Sequence, residues 1–218
     1  MIKHFNIDGK QLRCGTMYCI GQNYAKHSAE MGSQLPTVPI VFLKPASCYM
    51  PSGSEVILPK ISNNVHYETE LVVVIAKDCR NIKKEEAADY IAGYAVGLDL
   101  TLRDLQSKAK EKGHPWATAK GFAQSAPISP IVPQNRFGKE IPYFGLKLFV
   151  NGEQKQSGNT IDMERNVGEL LEYLSSIFEI NEGDVLFTGT PEGVGRIVKG
   201  DLLRAELVGY ECLEINIG

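Results

Sequence analysis

Two glutamates with one residue between them stand at the start of a long apolar run. Glu68 and Glu70 lead into residues 71–76, whose β-branched composition predicts a short buried strand. Successive side chains of a strand point to opposite faces, so His66, Glu68 and Glu70 share a face if the strand begins that early. Two carboxylates entering a buried strand repel each other and lose hydration. A cation is therefore expected beside them, and a divalent metal ion is the simplest one.

A third carboxylate supports a metal site. Asp99 lies within residues 94–100, which also predict a strand. Three carboxylates and no thiolate suit Mg²⁺ or Mn²⁺ better than Zn²⁺. The alternative is a solvated strand edge, because two glutamates at this spacing also occur where no metal binds. Asp99 and the buried run favour the metal without deciding between the two.

The segment before Gly32 contains a histidine and a glutamate at helical spacing. Residues 24–31 predict about two helical turns that end at Gly32. His27 and Glu30 are three residues apart, so they lie on one face and can form a hydrogen bond. A carboxylate beside an imidazole selects its tautomer and raises its basicity, which is how a water molecule is activated. An ordinary pair on a surface helix has the same spacing, so both interpretations stay open.

A lysine lies close to the only tryptophan of the chain. Lys120 and Trp116 fall within residues 115–122, a largely uncharged segment. A partly buried Lys120 would stabilise an anion or an enolate. The alternative is a surface lysine whose aliphatic stem packs on its neighbours while its charge stays in water.

Two further segments offer polar groups to a ligand. The glycine-rich loop 188–195 presents backbone N–H groups, such as that of Gly189, and hydroxyls, such as that of Thr190, to an anion. It lacks the P-loop and dinucleotide motifs, so a carboxylate is a better ligand than a nucleotide phosphate, and a sharp turn is the alternative. Arg103 and Gln106 lie three residues apart on a predicted helix after Asp99, where they face the same site or simply solvent.

Whole-chain properties argue against several classes of protein. A chain of 218 residues that is 43% hydrophobic can bury a substantial core. The net charge of −3, with acids and bases interspersed, argues against a nucleic-acid-binding surface. No secretory signal opens the chain, and no apolar run approaches the roughly 20 residues of a membrane helix. Five scattered cysteines without a CxxC pair indicate reduced thiols, and the chain is predicted to be cytoplasmic.

The strand and turn patterns predict a β-rich fold. Residues 146–150 and 153–156 predict a hairpin, joined by Asn151 and Gly152 in a type I′ turn. Further strands are predicted at 185–187 and 202–207, and the latter is expected to pair with the final segment of the chain.

Three longer helices stand out against these strands. They are predicted at 83–91, 101–112 and 162–178, and the second begins with a capping box from Thr101 to Asp104. Strands and helices do not alternate regularly enough for a Rossmann fold, so the predicted class is α+β.

Taken together, these segments resemble the fumarylacetoacetate hydrolase family. Each motif is modest alone, but the motifs match in order along nearly the whole chain. The short length resembles the single-domain acylpyruvase and oxaloacetate decarboxylase branch. The matching motifs are Gly21-Gln22-Asn23-Tyr24 with His27 and Glu30, Phe42-Leu43-Lys44-Pro45, His66-Tyr67-Glu68-Thr69-Glu70, Gly97-Leu98-Asp99 with Arg103-Asp104, Trp116-Ala117-Thr118-Ala119-Lys120-Gly121-Phe122, Val150-Asn151-Gly152 and Thr188-Gly189-Thr190-Pro191.

The resemblance implies a fold and a quaternary state. It implies mixed β-sheets rolled into a sandwich-like barrel with a few flanking helices, in one catalytic domain over residues 1–218, and usually a homodimer. It also implies Mg²⁺ or Mn²⁺ held by the positions of Glu68, Glu70 and Asp99.

The resemblance also assigns roles to the remaining candidates. His27 and Glu30 match a water-activating pair, Lys120 matches a catalytic lysine, and His66 is expected to support the metal ligands without binding the metal. One departure is visible, because many relatives have Phe-Asp after the lysine segment where this chain has Phe122 and Ala123. The residues expected to contact substrate are Tyr24, Arg103, Gln106, Gly189 and Thr190.

The preferred functional hypothesis is a metal-dependent hydrolase. It cleaves a C–C bond in small β-dicarbonyl acids and converts an acylpyruvate into pyruvate and a carboxylate. The same enolate arises when oxaloacetate loses CO₂, so one site is compatible with both reactions. The alternative is an isomerase, either an oxaloacetate keto–enol tautomerase or a dienol-acid isomerase, which needs no nucleophilic water. A non-catalytic metabolite-binding module is a third hypothesis, against which the acid triad and the histidine–glutamate pair argue.

Overall fold

The computed structural model describes residues 3–30, 32 and 35–218. Strands make up most of the regular structure within them. In chain order the strands are β1 (His4–Ile7), β2 (Lys10–Arg13), β3 (Met17–Gly21), β4 (Ile40–Lys44), β5 (Tyr49–Pro51), β6 (Ser54–Val56), β7 (Val65–Tyr67), β8 (Thr69–Ile75), β9 (Ile91–Leu98), β10 (Thr101–Leu102), β11 (Ala126–Ile128), β12 (Val132–Pro133), β13 (Gly145–Val150), β14 (Glu153–Asn159), β15 (Val185–Phe187), β16 (Gly195–Ile197), β17 (Leu202–Leu207) and β18 (Glu211–Ile217).

Two large mixed sheets dominate the fold. The eight-stranded sheet has the order β4-β3-β15-β8-β9-β11-β5, with β12 also paired to β9, and the five-stranded sheet has the order β14-β13-β17-β18-β6. A three-stranded sheet, β10-β7-β16, and the hairpin β1-β2 complete the set. Parallel and antiparallel pairs are mixed, since β15 is parallel to β3 and antiparallel to β8. The sheets form a curled half-barrel, which confirms the predicted β-rich α+β class.

The central strand β8 is buried on both faces. Leu71, Val73 and Ile75 pack into the larger hydrophobic cluster, while Val72 and Val74 point the other way into the smaller one. Alternating side chains therefore enter two separate cores, which explains why the run is continuously apolar.

The chain around the two glutamates departs from the single predicted strand. β7 belongs to the three-stranded sheet and β8 to the eight-stranded sheet, with Glu68 between them. His66, Glu68 and Glu70 therefore do not share the face of one strand. Similarly, β9 ends at Leu98, so Asp99 lies just past a strand end instead of inside the strand.

The predicted hairpin and C-terminal pairing are confirmed. β13 and β14 pair antiparallel across Asn151 and Gly152, whose φ angles of 52° and 81° fit a type I′ turn. β15 and β17 have the predicted bounds, and β17 pairs antiparallel with β18.

Helices are short and few among the described residues, and none of them is long and apolar enough to cross a membrane. The α-helices are α1 (Ala25–Glu30), α2 (Arg103–Glu111), α3 (Ala117–Lys120) and α4 (Val167–Ile177). Four 3₁₀ segments are also formed within the described residues, at Ala46–Cys48, Lys84–Tyr90, Gln134–Phe137 and Thr160–Asp162. The first predicted helix, 83–91, is therefore a 3₁₀ segment. The expected helix over 24–31 is formed over 25–30, and its last predicted residue lies outside the described part of the chain.

Two predicted helix starts are wrong for identifiable reasons. α4 begins at Val167 and not at residue 162, because Asn166 and Glu169 form a capping box with reciprocal bonds of 3.1 Å. Thr101 makes no capping box, because it lies in β10 and its hydroxyl donates to the Asp99 carbonyl at 3.1 Å.

Candidate active site

One cleft collects most of the residues that the sequence singled out. It lies where β3, β4, β8, α2 and α3 meet. Its lining consists of Ile20, Gly21, Gln22, His27, Phe42, Glu68, Glu70, Arg103, Gln106, Lys110, Trp116, Lys120 and Thr190.

The pairing of β8 with β9 brings the three carboxylates together. Glu70 lies opposite Gly97 in this pair, and the Asp99 N–H donates to the Glu68 carbonyl at 2.9 Å. A Cβ on Gly97 would stand 2.6 Å from Val72 Cγ2, so only glycine allows this close packing. One oxygen from each of Glu68, Glu70 and Asp99 lies within 4.8 Å of the others, and all three residues are buried.

Three cations surround these acids. The Lys120 ammonium donates to Glu68 Oε2 at 2.7 Å and to Asp99 Oδ2. The Arg103 guanidinium donates to Glu68 Oε1. Lys44 Nζ lies 2.8 Å from Asp99 Oδ1, an ion-pair distance at which the angles do not make a hydrogen bond. We refer to these six residues, Glu68, Glu70, Asp99, Lys44, Arg103 and Lys120, as the charge cluster.

Lys44 belongs to one of the family-like motifs, but its chemical role was not foreseen. Its ammonium is completely buried and donates to Ser125 Oγ at 2.9 Å, to the Ser125 carbonyl at 3.1 Å and to the carbonyl of Lys120. It therefore ties the segment that carries Lys120 to Asp99. The available signal was a lysine that ends an apolar strand and is followed directly by Pro45.

The charges in the cluster shift one another's pKa values. Burial would raise the pKa of Glu68, but Lys120 and Arg103 outweigh it and hold that pKa well below its usual range. Burial also raises the pKa of Glu70, and the charges of Asp99 and Glu68 raise it further. Burial alone would lower the pKa of Lys120, but Asp99 and Glu68 reverse the effect and raise it.

The acid triad is suited to a divalent cation. Asp99 Oδ1 is buried and accepts no hydrogen bond within the described residues, and the raised pKa of Glu70 reflects repulsion that a cation would relieve. Glu68 already holds two cationic groups, but a carboxylate has further lone pairs to share with a metal. Carboxylate oxygens without thiolates suit Mg²⁺ or Mn²⁺. The donor set therefore fits the predicted ions without distinguishing them.

The predicted histidine–glutamate pair is formed on α1. His27 Nδ1 lies 3.2 Å from Glu30 Oε2, and the imidazole is buried in the lining of the cleft. The Gly193 N–H donates to the same carboxylate at 3.2 Å. With Glu30 accepting from Nδ1–H, the neutral imidazole keeps its lone pair on Nε2, which is the form that accepts a proton.

The glycine-rich loop binds carboxylates of the protein itself. The Gly189 N–H donates to Glu70 Oε2 at 2.7 Å, as the Gly193 N–H does to Glu30. Thr190 lines the cleft, and its hydroxyl donates to the Thr69 carbonyl at 2.9 Å. The loop thus positions both the metal-ligand candidates and the histidine pair, while substrate contact by Gly189 and Thr190 stays a prediction.

Two amide side chains to which the sequence assigned no role hold this loop, and of these only Asn23 belongs to a family-like motif. Gln156 Nε2 donates to Thr190 Oγ1 at 2.9 Å, and its Oε1 accepts from the Thr69 N–H at 3.0 Å. Asn23 Nδ2 donates to the Thr188 carbonyl at 2.9 Å. Nothing in the local sequence marks Gln156, since it lies in an otherwise ordinary hairpin strand.

The first turn of α2 and strand β7 carry three further candidates. Arg103 and Gln106 both line the cleft, and Arg103 Nη1 donates to Gln106 Oε1 at 2.6 Å. His66 Nε2 bonds to Asn64 Oδ1 at 2.9 Å. Burial and the nearby Arg103 lower the pKa of His66 to about 4, so the imidazole is neutral at pH 7. Its predicted support of the metal ligands stays a prediction.

Tyr24 lines a second cavity in place of the main cleft. That cavity also includes Asp162, Pro191 and Glu192. The Tyr24 hydroxyl is buried and has no hydrogen-bond partner among the described residues. Its predicted contact with substrate therefore has no support from the lining of the cleft.

Comparison with known proteins identifies the same family as the motifs. The family model described as fumarylacetoacetate (FAA) hydrolase C-terminal matches residues 16–217. The chain is 42% identical over 199 residues to the mitochondrial oxaloacetate tautomerase of Homo sapiens, covering 91% of this chain and 90% of that protein. It is 41% identical over 212 residues to an oxaloacetate tautomerase of Escherichia coli, covering 96% and 97%.

Solved structures share the fold. Fumarylpyruvate hydrolase from Pseudomonas aeruginosa, in complex with Mn²⁺ and pyruvate, superposes with a TM-score of 0.94 at 38% identity, covering 99% of this chain and 95% of that one. A 5-carboxymethyl-2-hydroxymuconate delta-isomerase from Mycobacterium smegmatis gives 0.83 at 32% identity, covering 95% and 80%. These matches confirm the resemblance and the predicted fold.

Proposed function

Because the chain belongs to the fumarylacetoacetate hydrolase family, we propose that it is a divalent-metal-dependent enzyme that generates an enolate or enol from a small 2-oxo acid. One observation carries the proposal: the three buried carboxylates with Lys120, and the His27–Glu30 pair, form two groups that meet at one cleft, which Glu68, Glu70, Lys120 and His27 line. The first group can stabilise negative charge on an oxygen, and the second can move a proton. Enolisation needs both.

Tautomerisation of oxaloacetate is the reaction that we place first. The two relatives at 41–42% identity are both oxaloacetate tautomerases, and they align over nine-tenths or more of their length. Interconversion of keto and enol forms moves one proton between C3 and the 2-oxo oxygen, and no C–C bond breaks. This order differs from the one that sequence analysis preferred, although both reactions pass through the same kind of enolate.

Hydrolysis of a C–C bond is the second candidate. The His27–Glu30 pair supports it, because a neutral imidazole oriented by a carboxylate is suited to deprotonating water. Similarity to the fumarylpyruvate hydrolase adds support. In this reaction hydroxide adds to the distal carbonyl of an acylpyruvate, the C3–C4 bond breaks, and pyruvate leaves as its enolate.

The side chains then take distinct roles. A divalent cation held by Glu68, Glu70 and Asp99 would supply Lewis-acid polarisation of the 2-oxo and carboxylate oxygens. His27 Nε2 takes a proton from C3 in tautomerisation, or from water in hydrolysis, and Glu30 holds the tautomer that allows this. Lys120 adds positive charge beside the developing enolate oxygen.

The organisation of the protein belongs to the same proposal. A single catalytic domain over residues 1–218 is supported by the family match over 16–217. A homodimer is supported by the family resemblance alone. A cytoplasmic location agrees with five cysteines that are all unpaired.

Parallel assays of one enzyme preparation test the proposal. The full chain is mixed with enol-rich oxaloacetate, and separately with acetylpyruvate, each with Mg²⁺ and with excess chelator. We expect accelerated loss of the enol absorbance of oxaloacetate without pyruvate release, and only with the metal. Metal-dependent pyruvate release from acetylpyruvate would make hydrolysis the main reaction. Chelator-resistant activity, or activity on neither compound, would contradict the proposal.

A further inference from the structure

The outer part of the cleft carries a lysine that the proposed reaction does not use. Lys110 lines the cleft together with Arg103 and Gln106. The three residues occupy positions i, i+3 and i+7, which lie on one face of α2. At a rise of 1.5 Å per residue, the backbone of Lys110 stands roughly 10 Å along the helix axis from that of Arg103. Arg103 is buried and Lys110 is exposed, so Lys110 marks the outer end of the cleft.

Lys110 differs from the other cations of the cleft in its contacts. Arg103 and Lys120 are both paired with Glu68, whereas Lys110 forms no ion pair with a carboxylate of the described residues. Its ammonium stands 5.3 Å from the centroid of the Trp116 ring, which itself packs on Phe42 at 5.6 Å between centroids. An aromatic face orients a cation but leaves its charge unneutralised.

The surroundings of Lys110 favour an added negative charge. Although the side chain as a whole is exposed, partial loss of hydration lowers the pKa of its ammonium, and Arg103 lowers it further, against a smaller opposite effect of Glu68. An anion that reached the outer end of the cleft would offset both effects. No acidic side chain of the described residues lines that end, since the acids of the lining, Glu68 and Glu70, are held at the inner end by Lys120 and by the Gly189 N–H, respectively.

We propose that Lys110 determines substrate specificity by binding the distal carboxylate of a 2-oxo dicarboxylate. The proposal rests on the proposed function, in which the 2-oxo acid group occupies the inner end beside Glu68, Glu70 and Asp99. The carboxylate at the other end of a four-carbon acid then extends along α2 toward Lys110. Lys110 thereby favours dicarboxylates over acids whose distal group is an uncharged acyl chain.

Kinetics of a charge-removing variant test the assignment. For Lys110→Met we expect the KM for oxaloacetate to rise about tenfold, equivalent to about 1.4 kcal/mol, with kcat little changed. The parameters for acetylpyruvate, whose distal group is an uncharged acetyl, stay unchanged if that compound turns over. Lys110→Arg restores most of the affinity for oxaloacetate. Lys108→Met is the matched control, because Lys108 is an exposed lysine of the same helix outside the cleft lining. It should leave the kinetic parameters for both substrates unchanged.

Two kinetic results would overturn the assignment. An equal loss for both substrates would mean that Lys110 only maintains the structure, for example through Trp116. A KM for oxaloacetate that Lys110→Met leaves unchanged would mean that the distal carboxylate lies elsewhere.

Equilibrium binding separates this assignment from the proposed function. Calorimetry with Mg²⁺ compares pyruvate with 2-oxoglutarate, which has a distal carboxylate but is not a β-keto acid and so does not readily lose CO₂. We expect the wild type to bind 2-oxoglutarate more tightly than pyruvate. In Lys110→Met the ratio of the two affinities should fall about tenfold. A Lys110-dependent preference without any turnover would contradict the proposed function and leave the assignment standing. A preference that is absent, or unaffected by the substitution, would overturn the assignment whatever the activity.

Discussion

The charge cluster and the His27–Glu30 pair both contribute to the lining of one cleft, but the protein holds them very differently. The cluster contributes Glu68, Glu70, Arg103 and Lys120, and the pair contributes His27. Asp99 is completely buried, and Lys120 and Lys44 contact its two oxygens. Glu30 has a side chain that is 36% exposed, and it lies at the end of a helix of six residues. Within the described residues it is bound only by His27 and the Gly193 N–H.

This difference separates two kinds of proposed catalytic group. Charges that stabilise a reacting oxygen act best when their positions are set before the substrate arrives, and burial among fixed partners achieves that. A group that transfers a proton needs only the right tautomer and access to the reacting atom. We therefore expect changes in the cluster to affect stability, metal binding and activity together, and changes in the pair to affect activity alone.

The largest effect is expected from His27→Gln. Glutamine can still bond to Glu30 but cannot accept a proton at neutral pH, so turnover should fall by about 10²–10⁴-fold. Metal affinity and the unfolding temperature should not change. Steady-state rates, metal titration and thermal unfolding check this, with exposed His114→Gln as the control. If His27→Gln also lost metal affinity, the expectation that the pair affects activity alone would be wrong.

Lys120→Met should damage both activity and stability. It removes a cation shared by Glu68 and Asp99, so a loss of about 10²–10³-fold in turnover is expected. Breaking a buried ion pair also costs about 3–5 kcal/mol in the free energy of unfolding. Denaturant unfolding with and without Mg²⁺ measures the cost, and the metal should recover part of it. Exposed Lys108→Met is the control, and a variant with wild-type stability would show that Lys120 is not needed to balance the acids.

Glu70→Gln should change metal binding and stability in opposite directions. If Glu70 binds the metal as proposed, its loss should weaken Mg²⁺ affinity by more than the roughly 10–100-fold seen when groups that merely support ligands are lost. Without metal, the variant should be more stable than wild type at pH 7. The pKa of Glu70 is higher in the folded than in the unfolded chain, so its ionisation costs stability as pH rises above 4.5.

Thermal unfolding of Glu70→Gln with chelator and with Mg²⁺ checks both expectations. The advantage of the variant in chelator should shrink as the pH is lowered through 4.5, because below that pH Glu70 is protonated in both the folded and the unfolded states of wild type. Exposed Glu111→Gln is the control. Lower stability of Glu70→Gln in chelator would contradict the view that repulsion among the acids is costly.

The smallest effect is expected from His66. Its pKa of about 4 lies below the ordinary 6.5, so the folded state binds this proton less readily than the unfolded state. The neutral imidazole makes its full contribution to the free energy of unfolding above pH 6.5. That contribution is lost as the pH falls toward 4, by at most about 1.4 kcal/mol per pH unit. His66→Gln should flatten this decline in unfolding free energy between pH 6.5 and 4. Exposed His4→Gln should leave it unchanged, and an equal slope in wild type and His66→Gln would contradict the expectation.

Local patterns predicted the parts of the fold that depend on neighbours in sequence. Asn151 and Gly152 both have the positive φ that a type I′ turn needs, and the hairpin forms where expected. His27 and Glu30 form their pair because helical spacing alone brings them together. The start of α4 was misplaced because the capping box of Asn166 and Glu169 begins the helix five residues after the predicted start at residue 162.

The sequence by itself determined the three acids, the histidine–glutamate pair, the family and the apolar strand that carries Glu70. Only the tertiary structure decided that Lys44 contacts Asp99, that Gln156 holds Thr190, and that the glycine-rich loop binds the protein's own carboxylates. These contacts join residues up to 119 positions apart. They form because buried charges and N–H groups must find partners once folding removes water, and which partners are near depends on how the sheets pack.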